Sequence, residues 1–370
     1  MYLKNTDPTG KSGPCILVTG GAGYVGSHAV LDLLDSGFRV VVLDSLVTGF
    51  RWAVDPRAIF VEGRVEDEGL VRSLLRDHEV RGILHFAGST IAPESVRDPL
   101  KYYRNNTVAS RSLLESAVAK QVHHFVFSST AAVYGPSGLD PVSEDSVPRP
   151  ATPYGWSKLM TERMLDDVAR SYPFNYCALR YFNVAGADPL GRAGPSSVSS
   201  THLVKIAVEA ALGKRSEVTV FGNDFATPDG TGVRDYIHVS DLARVHVLAL
   251  NELFASPGVS HVLNCGYGRG HSVLEVLDMV ARAAGHPVPH VFGPRRPGDL
   301  DRVVADNRRL KERLHWRPRY DELHAMVTDA LRWEEHLSRR TTPDIAVKRQ
   351  IRRPSELTER VASHNKMPRH

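Results

Sequence analysis

Short, almost continuously apolar runs recur along the opening third of the chain, separated by helix-length segments. They read "CILVTG" (15–20), "RVVVLD" (39–44), "AIFVEG" (58–63), "GILHFAG" (82–88) and "HHFVFSS" (123–129). A strand that is apolar on both sides needs cover on both faces, and helices crossing between parallel strands supply it. The segment "YVGSHAVLDLLDSG" places apolar residues at helical spacing and ends in a Gly stop; "PLKYYRNNTVASRSLLESAVAKQ" predicts a longer helix. This alternation predicts an α/β chain built on a doubly wound parallel sheet.

After about residue 190 the texture changes. "ADPLGRAGPSSVSS" is a Gly/Pro/Ser loop, followed by a predicted helix (202–213), a strand "VTVFG" (218–222), and helices near 240–252, 272–285 and 320–337. The expected division is an N-terminal extension (1–14), a nucleotide-binding domain (15–190), a smaller mixed α/β substrate lobe (191–338) and a tail (339–370). The lobe should return some chain to the main sheet.

Charge and cysteine use narrow the class. Arg339–His370 holds nine Lys/Arg against three acids, so this stretch contributes +6 and the rest −2 to the net +4. The body is therefore no basic nucleic-acid surface, and the tail is expected to be a solvated extension. Cys15, Cys177 and Cys265 lie far apart with no C-x-x-C, which points to reduced thiols and to neither disulfides nor a metal site. No apolar run nears the ~20 residues that span a bilayer, and the first residues show no signal-peptide core. A cytoplasmic protein without membrane or nucleic-acid partners is expected.

"TGGAGYVGSH" puts Gly20, Gly23 and Gly26 between the first strand and the first helix, the context that a Rossmann-type dinucleotide site requires. Glycine lets backbone approach a pyrophosphate at a helix N-terminus, where Tyr24 and Val25 begin the helix. Asp44 ends the second strand; a carboxylate there accepts from ribose hydroxyls and repels a 2′-phosphate, favouring NAD over NADP. A structural turn is the competing reading.

"TPYGWSKLM" holds Tyr154 and Lys158 four apart, on one face of a helix. A phenol of ordinary pKa ~10 is a poor base at neutral pH. A neighbouring ammonium favours the phenolate and is expected to lower that pKa. Thr130, at the end of the fifth run, can bridge Tyr154 to a substrate hydroxyl. A Tyr-x-x-x-Lys alone is common; its place after the glycine turn and Asp44 marks a catalytic pair.

The GxxGxxG spacing, with "LHFAG", "VFSSTAAVYG", "PYGWSK", "LRYFNVAGADP", "VFGNDFATPDGTGVRDYIHVSDL" and "RRPGD" in that order, resembles the UDP-glucose (UDP-galactose) 4-epimerase family of extended short-chain dehydrogenases, over about residues 15–337. The resemblance implies NAD as cofactor and a UDP-sugar as substrate, oxidised transiently at C4 to a 4-keto sugar. It implies Tyr154 as the proton-transfer group, with Thr130 and Lys158 assisting. Positions matching the NAD site are Val65, Phe86, Ala87, Gly88, Asn105, Ser128, Ser129 and Tyr181. Positions matching the UDP-sugar site are Arg234 and Arg296 on the diphosphate, Phe221 beside uracil, Asn183 at the sugar, the Leu203 backbone, His202 and Asp299. Dimerisation through helices matching 100–119 and 155–172 is implied as well.

The sequence departs from that family at Arg64, Thr90, His202 and Lys205, and Val303 stands where the sugar's C2 substituent is limited. Ala131 and Ala132 occupy places where related dehydratases and decarboxylases carry an acid, and they transfer no proton. A sensor that binds NAD without catalysis is the alternative from another class. The acid-free loop 189–208 also carries Gly191-Arg192, where uronate-handling relatives place an arginine. UDP-glucuronate is therefore a second candidate substrate, with Arg192 expected on its carboxylate.

Overall fold

A computed structural model describes residues 13–136, 141–197, 200–296 and 298–340; the predicted extension before residue 13 and the tail from 341 lie outside the described residues. The apolar runs become strands β1 (Cys15–Thr19), β2 (Arg39–Asp44), β3 (Ile59–Glu62), β4 (Val80–His85) and β5 (His124–Thr130). Between them lie α1 (Tyr24–Asp35), α2 (Glu68–Asp77), α3 (Ala92–Arg97), α4 (Pro99–Tyr102) and α5 (Ala109–Ala119). The last two are one helix interrupted by a π-helical stretch, Tyr103–Val108. Then follow α6 (Pro153–Ser171) and β6 (Asn175–Tyr181).

The sheet is parallel throughout, in the order β3-β2-β1-β4-β5-β6 with a seventh strand, β10 (His261–Cys265), beyond β6. Alternate residues of each strand enter opposite cores. Ile16, Val18, Val42, Leu84 and Val126 face α1 and the later helix α8; Leu17, Val41, Leu43, Ile83 and Phe125 face α2 and α5. This is the Rossmann arrangement, and the order reverses between β1 and β4. A crevice opens at such a switch point beyond the carboxyl ends of the strands. The glycine turn leaves β1 there, and residues 86–88 leave β4.

The remaining chain forms β7 (Asn183–Ala185), α7 (Leu203–Ala211), β8 (Val218–Phe221), β9 (Val233–His238), α8 (Val239–Ala255) and β10 (His261–Cys265). It closes with β11 (Gly270–Ser272), α9 (Val273–Ala284), β12 (His290–Gly293), β13 (Arg302–Val303), α10 (Arg308–Leu314) and α11 (Leu323–Arg339). Strand β9 pairs with β7, β11 and β13, while β8 pairs with β12. A third core, of α7, α9 and α11 residues including Val208, Val276 and Met326, supports these small sheets.

Candidate active site

The glycine turn is a cradle that side chains would fill. A Cβ on Gly20 (φ +74°) would lie 2.6 Å from the Ala87 nitrogen, and one on Gly26 would lie 2.2 Å from the Gly20 oxygen. Helix α1 begins at Tyr24 with Gly23 as N-cap and no side-chain cap. The first-turn N–H groups of a helix have no intrahelical partner and carry its positive end, so Tyr24, Val25 and Gly26 present an anion site. These features fit an NAD pyrophosphate. Asp44 accepts from the Ala22 amide (2.9 Å) and the Leu46 amide (2.8 Å), so the carboxylate predicted at the ribose also pins the glycine turn to β2.

Across the crevice, the Phe86 amide donates to the Thr19 carbonyl at 2.9 Å, and the Phe86 ring lies 4.7 Å from the His246 ring. Val65 is buried in the α2 core. Arg64 turns away to Glu66 at 2.9 Å, so that departure from the family brings no charge into the crevice. A Cβ on Gly88 would stand 2.8 Å from Asn106 Oδ1 and 3.9 Å from Lys158 Nζ. Asn105 donates to Ser89 Oγ at 3.1 Å. Its neighbour Asn106, not singled out from the sequence, is buried and holds more: it accepts from the Ser89 amide (2.7 Å) and donates to the Ser89 carbonyl (3.0 Å) and Ser157 Oγ (2.9 Å). It sits in the π-helical stretch, whose altered spacing a 3.6-residue reading cannot anticipate. The doublet "NNT" was the available signal.

The predicted catalytic residues converge. Thr152 caps α6, accepting from the Gly155 amide, and Pro153 occupies its first turn. The Thr130 hydroxyl stands beside the Tyr154 phenol and favours its ionised form. Lys158, 3 % exposed, donates to the Ser128 carbonyl at 2.8 Å and stands over the Phe127 ring. Burial lowers the Lys158 pKa to about 8, opposed by the charge of Glu162. The expected downward shift of Tyr154 is not what the protein alone produces. Burial raises its pKa, and the Thr130 hydroxyl only partly counters that. The phenol is thus neutral at pH 7 until a further positive charge arrives. Tyr181, buried at the end of β6, bonds His246 Nε2 and Ser128 through its hydroxyl.

The residues expected at the substrate gather around Asp299. Its carboxylate receives Arg296 Nε at 2.9 Å and lies 3.8 Å from Arg234 Nη2, while the Arg296 guanidinium covers the Phe221 ring. Arg234 is fixed by donating to the Val233 and Leu300 carbonyls, and burial depresses its pKa. Asn183 lies in register with Tyr236, and Val303 with Arg234 itself. Val303 also packs in the cluster that contains Ala131 and Val133, so β13 joins the arginines to the loop after Thr130. His202 and Leu203 open α7, which has no side-chain cap; the His202 ring meets Tyr24 at 5.9 Å, bringing the starts of α1 and α7 together.

The expectation for Arg192 loses its support: the guanidinium donates to both Asp188 oxygens and to Asp35 Oδ2. Asp35 ends α1, about 16 Å along the helix from the glycine turn at 1.5 Å per residue. The carboxylates of Asp188 and Asp35 claim the guanidinium before any uronate could. Lys205, a departure from the family pattern, is buried against Glu334 (2.6 Å) and Glu209 (3.0 Å). Among the described residues, no His/Cys/Asp/Glu group could hold a metal ion, and no helix is long and apolar enough to cross a membrane.

Comparison with known proteins agrees with this geometry. Residues 16–266 match the profile of the NAD dependent epimerase/dehydratase family. The UDP-glucose 4-epimerase of Azospirillum brasilense is 49% identical over 332 residues, covering 90% of this chain and 95% of that one. A crystal structure of UDP-glucose 4-epimerase from Brucella ovis in complex with NAD superposes with a TM-score of 0.84 at 40% identity, covering 86% of this chain and 98% of that one. One from Stenotrophomonas maltophila, with bound NAD and formylated UDP-arabinopyranose, gives 0.85 at 38% identity, covering 88% and 99%. The chain belongs to the NAD dependent epimerase/dehydratase family and groups within it with the UDP-glucose 4-epimerases.

Proposed function

We propose that this chain epimerises UDP-glucose and UDP-galactose at C4, with Tyr154 exchanging the proton of the sugar 4-hydroxyl. The observation that carries this reading is the placement of Tyr154 and the buried Lys158 one turn apart on α6, against the end of β5 that carries Thr130. Thr130 relays between phenol and sugar hydroxyl. Lys158 holds a positive charge next to the cofactor position at Gly88. When bound, NAD would supply reversible hydride acceptance at C4 while the hydroxyl proton goes to Tyr154, and its positive ring would favour the ionised phenol. Gly20, Gly23 and the start of α1 hold its pyrophosphate, and Asp44 stands at the ribose.

Arg234 and Arg296 clamp the UDP diphosphate, for which paired guanidinium donors are suited. Phe221 lies against the uracil, Asn183 contacts the sugar, and the α7 start at Leu203 donates to phosphate. Asp299 acts by setting the arginines. The UDP-glucuronate alternative loses its support, because Arg192 is committed elsewhere.

A homodimer through α3–α6 accounts for the apolar side chains exposed there: Leu100 (77 %), Val96, Val108, Trp156 and Met160. Buried, unpaired Cys15, Cys177 and Cys265 fit a reducing, cytoplasmic setting. The test is a panel of UDP-sugars incubated with purified protein, with both C4 epimers quantified. Interconversion of UDP-glucose and UDP-galactose is expected. NAD retention with no epimerisation of any UDP-sugar would overturn the reading in favour of a sensor.

A further inference from the structure

The end of β5 is fastened to α6 at three successive residues. Ser128 offers its carbonyl to Lys158, Ser129 donates its hydroxyl to Glu162, and Thr130 meets Tyr154. On the helix these partners lie at positions 154, 158 and 162, each one turn apart on a single face. The catalytic pair is therefore two rungs of a three-rung seam. Glu162 supplies the third, and it is buried.

A buried carboxylate requires partners, and Glu162 has a bidentate one. Arg180 gives Nε to Oε1 at 3.0 Å and Nη2 to Oε2 at 2.6 Å. Arg180 lies on β6 in register with Ser129, so both side chains reach the helix from adjacent strands. Its third donor, Nη1, goes to the Tyr134 hydroxyl at 2.9 Å, which in turn donates to Asn264. Glu162 thus ties β5, β6 and α6 at one point, directly beneath the reacting groups.

We propose that Glu162, held by Arg180, is a positioning residue of the epimerase site: through Ser129 it fixes the strand end that presents Thr130 to Tyr154, and it supplies the counter-charge one turn below Lys158. The inference rests on the epimerase reading above. The titratable groups around Lys158 are Tyr154 and Glu162 on α6, His85 on β4, Arg180 on β6 and, beyond Tyr154, Tyr102 on α4. His85 is neutral, its pKa pushed down to about 3, so Glu162 is the anion that balances the lysine.

The experiment compares Glu162→Gln and Ser129→Ala with wild type, as full-length protein with UDP-galactose. It follows kcat and KM across pH and the NAD content of each preparation. For Glu162→Gln, kcat should fall roughly 10- to 100-fold, the cost of a misplacement of about 1 Å. KM should stay within about 2-fold, since substrate binding does not use this contact. The alkaline limb of the profile should move to lower pH, because Lys158 then faces Arg180 without the carboxylate between them. Ser129→Ala removes the tether and keeps the charge, so kcat should fall with the alkaline limb unmoved. Wild-type kcat in both variants, or losses that only follow lost NAD, would overturn the proposal. If Glu162→Gln does not fold, Ser129→Ala decides alone. Wild-type turnover in the same assay tests the epimerase reading separately.

Discussion

The seam between β5 and α6 and the stretch from Asp188 to Lys205 each carry a basic residue expected in the site, Lys158 as catalytic partner and Arg192 on the substrate. In the seam, Lys158 lies where expected, because strand and helix fix its position: a residue one turn from Tyr154 on a packed helix has one direction to point. In the loop, Arg192 is held by Asp188, four residues earlier, and by Asp35, 157 residues away. A loop side chain goes to the strongest partner in reach, and nothing in the local sequence names that partner. Regular elements make chemistry predictable; loops hand it to tertiary context.

The contrast can be broken most visibly on the substrate side. Arg296 reaches the site from an exposed loop but is aimed by Asp299 and Phe221. Arg296→Ala should raise KM for UDP-galactose roughly 10- to 100-fold, as expected for lost hydrogen bonds to a charged group. Because that contact is made throughout the reaction, kcat should be nearly unchanged. Steady-state kinetics showing an unaltered KM would remove Arg296 from the clamp.

Acid should separate the two halves next. The nucleotide half and its covering helix bury neutral His28, His85 and His246, with pKa values pushed down to about 4, 3 and 4. Each takes up a proton on unfolding below its ordinary value of ~6.5. Their stabilisation is therefore present above that value and is lost as pH falls toward the folded values. Asp188 and Glu334, held low by their cationic partners against the upward push of burial, add a further loss only below their ordinary carboxylate range, beneath the histidine window. Asp235 in the substrate half, raised to about 6 by burial, gains stability as pH falls through that value and opposes it. The histidines dominate, so Tm should drop steadily between about pH 6.5 and about pH 4. A flat Tm over that range would contradict this account.

The smallest effect sharpens the comparison most. Arg192→Ala should leave kcat/KM for UDP-glucose within about 2-fold of wild type, since the residue touches none of the site. It should also create no preference against UDP-glucuronate. A selective loss on the uronate would restore the reading of Arg192 as a carboxylate partner.

Much of the fold was legible because Ile16, Val18 and Val42 alternate with Leu17, Val41 and Leu43 between two cores, leaving runs apolar throughout. β6 escaped the same reading. Its fully buried "NYCALRY" hides Asn175 and Arg180, which look exposed in sequence and are satisfied by Leu253, Ser256, His124, Glu162 and Tyr134. The small sheets around β9 were missed for a related reason: β11 and β13 are three and two residues long, too short for a period to show. In the site, Gly20, Gly26, Tyr154 and Lys158 were readable from local rules. Glu162 and Asn106 were not, because their roles depend on Arg180, Ser129, Ser89 and Ser157, brought in by other elements.

The claim at the centre is that the phenol of Tyr154 moves the sugar's proton. Tyr154→Phe deletes that hydroxyl and leaves the ring's packing against Tyr102. The decisive measurement is the rate at which NAD-replete Tyr154→Phe interconverts UDP-glucose and UDP-galactose. A fall of about 10²- to 10⁴-fold with NAD content unchanged is the expected result. A variant that keeps the wild-type rate would contradict the account.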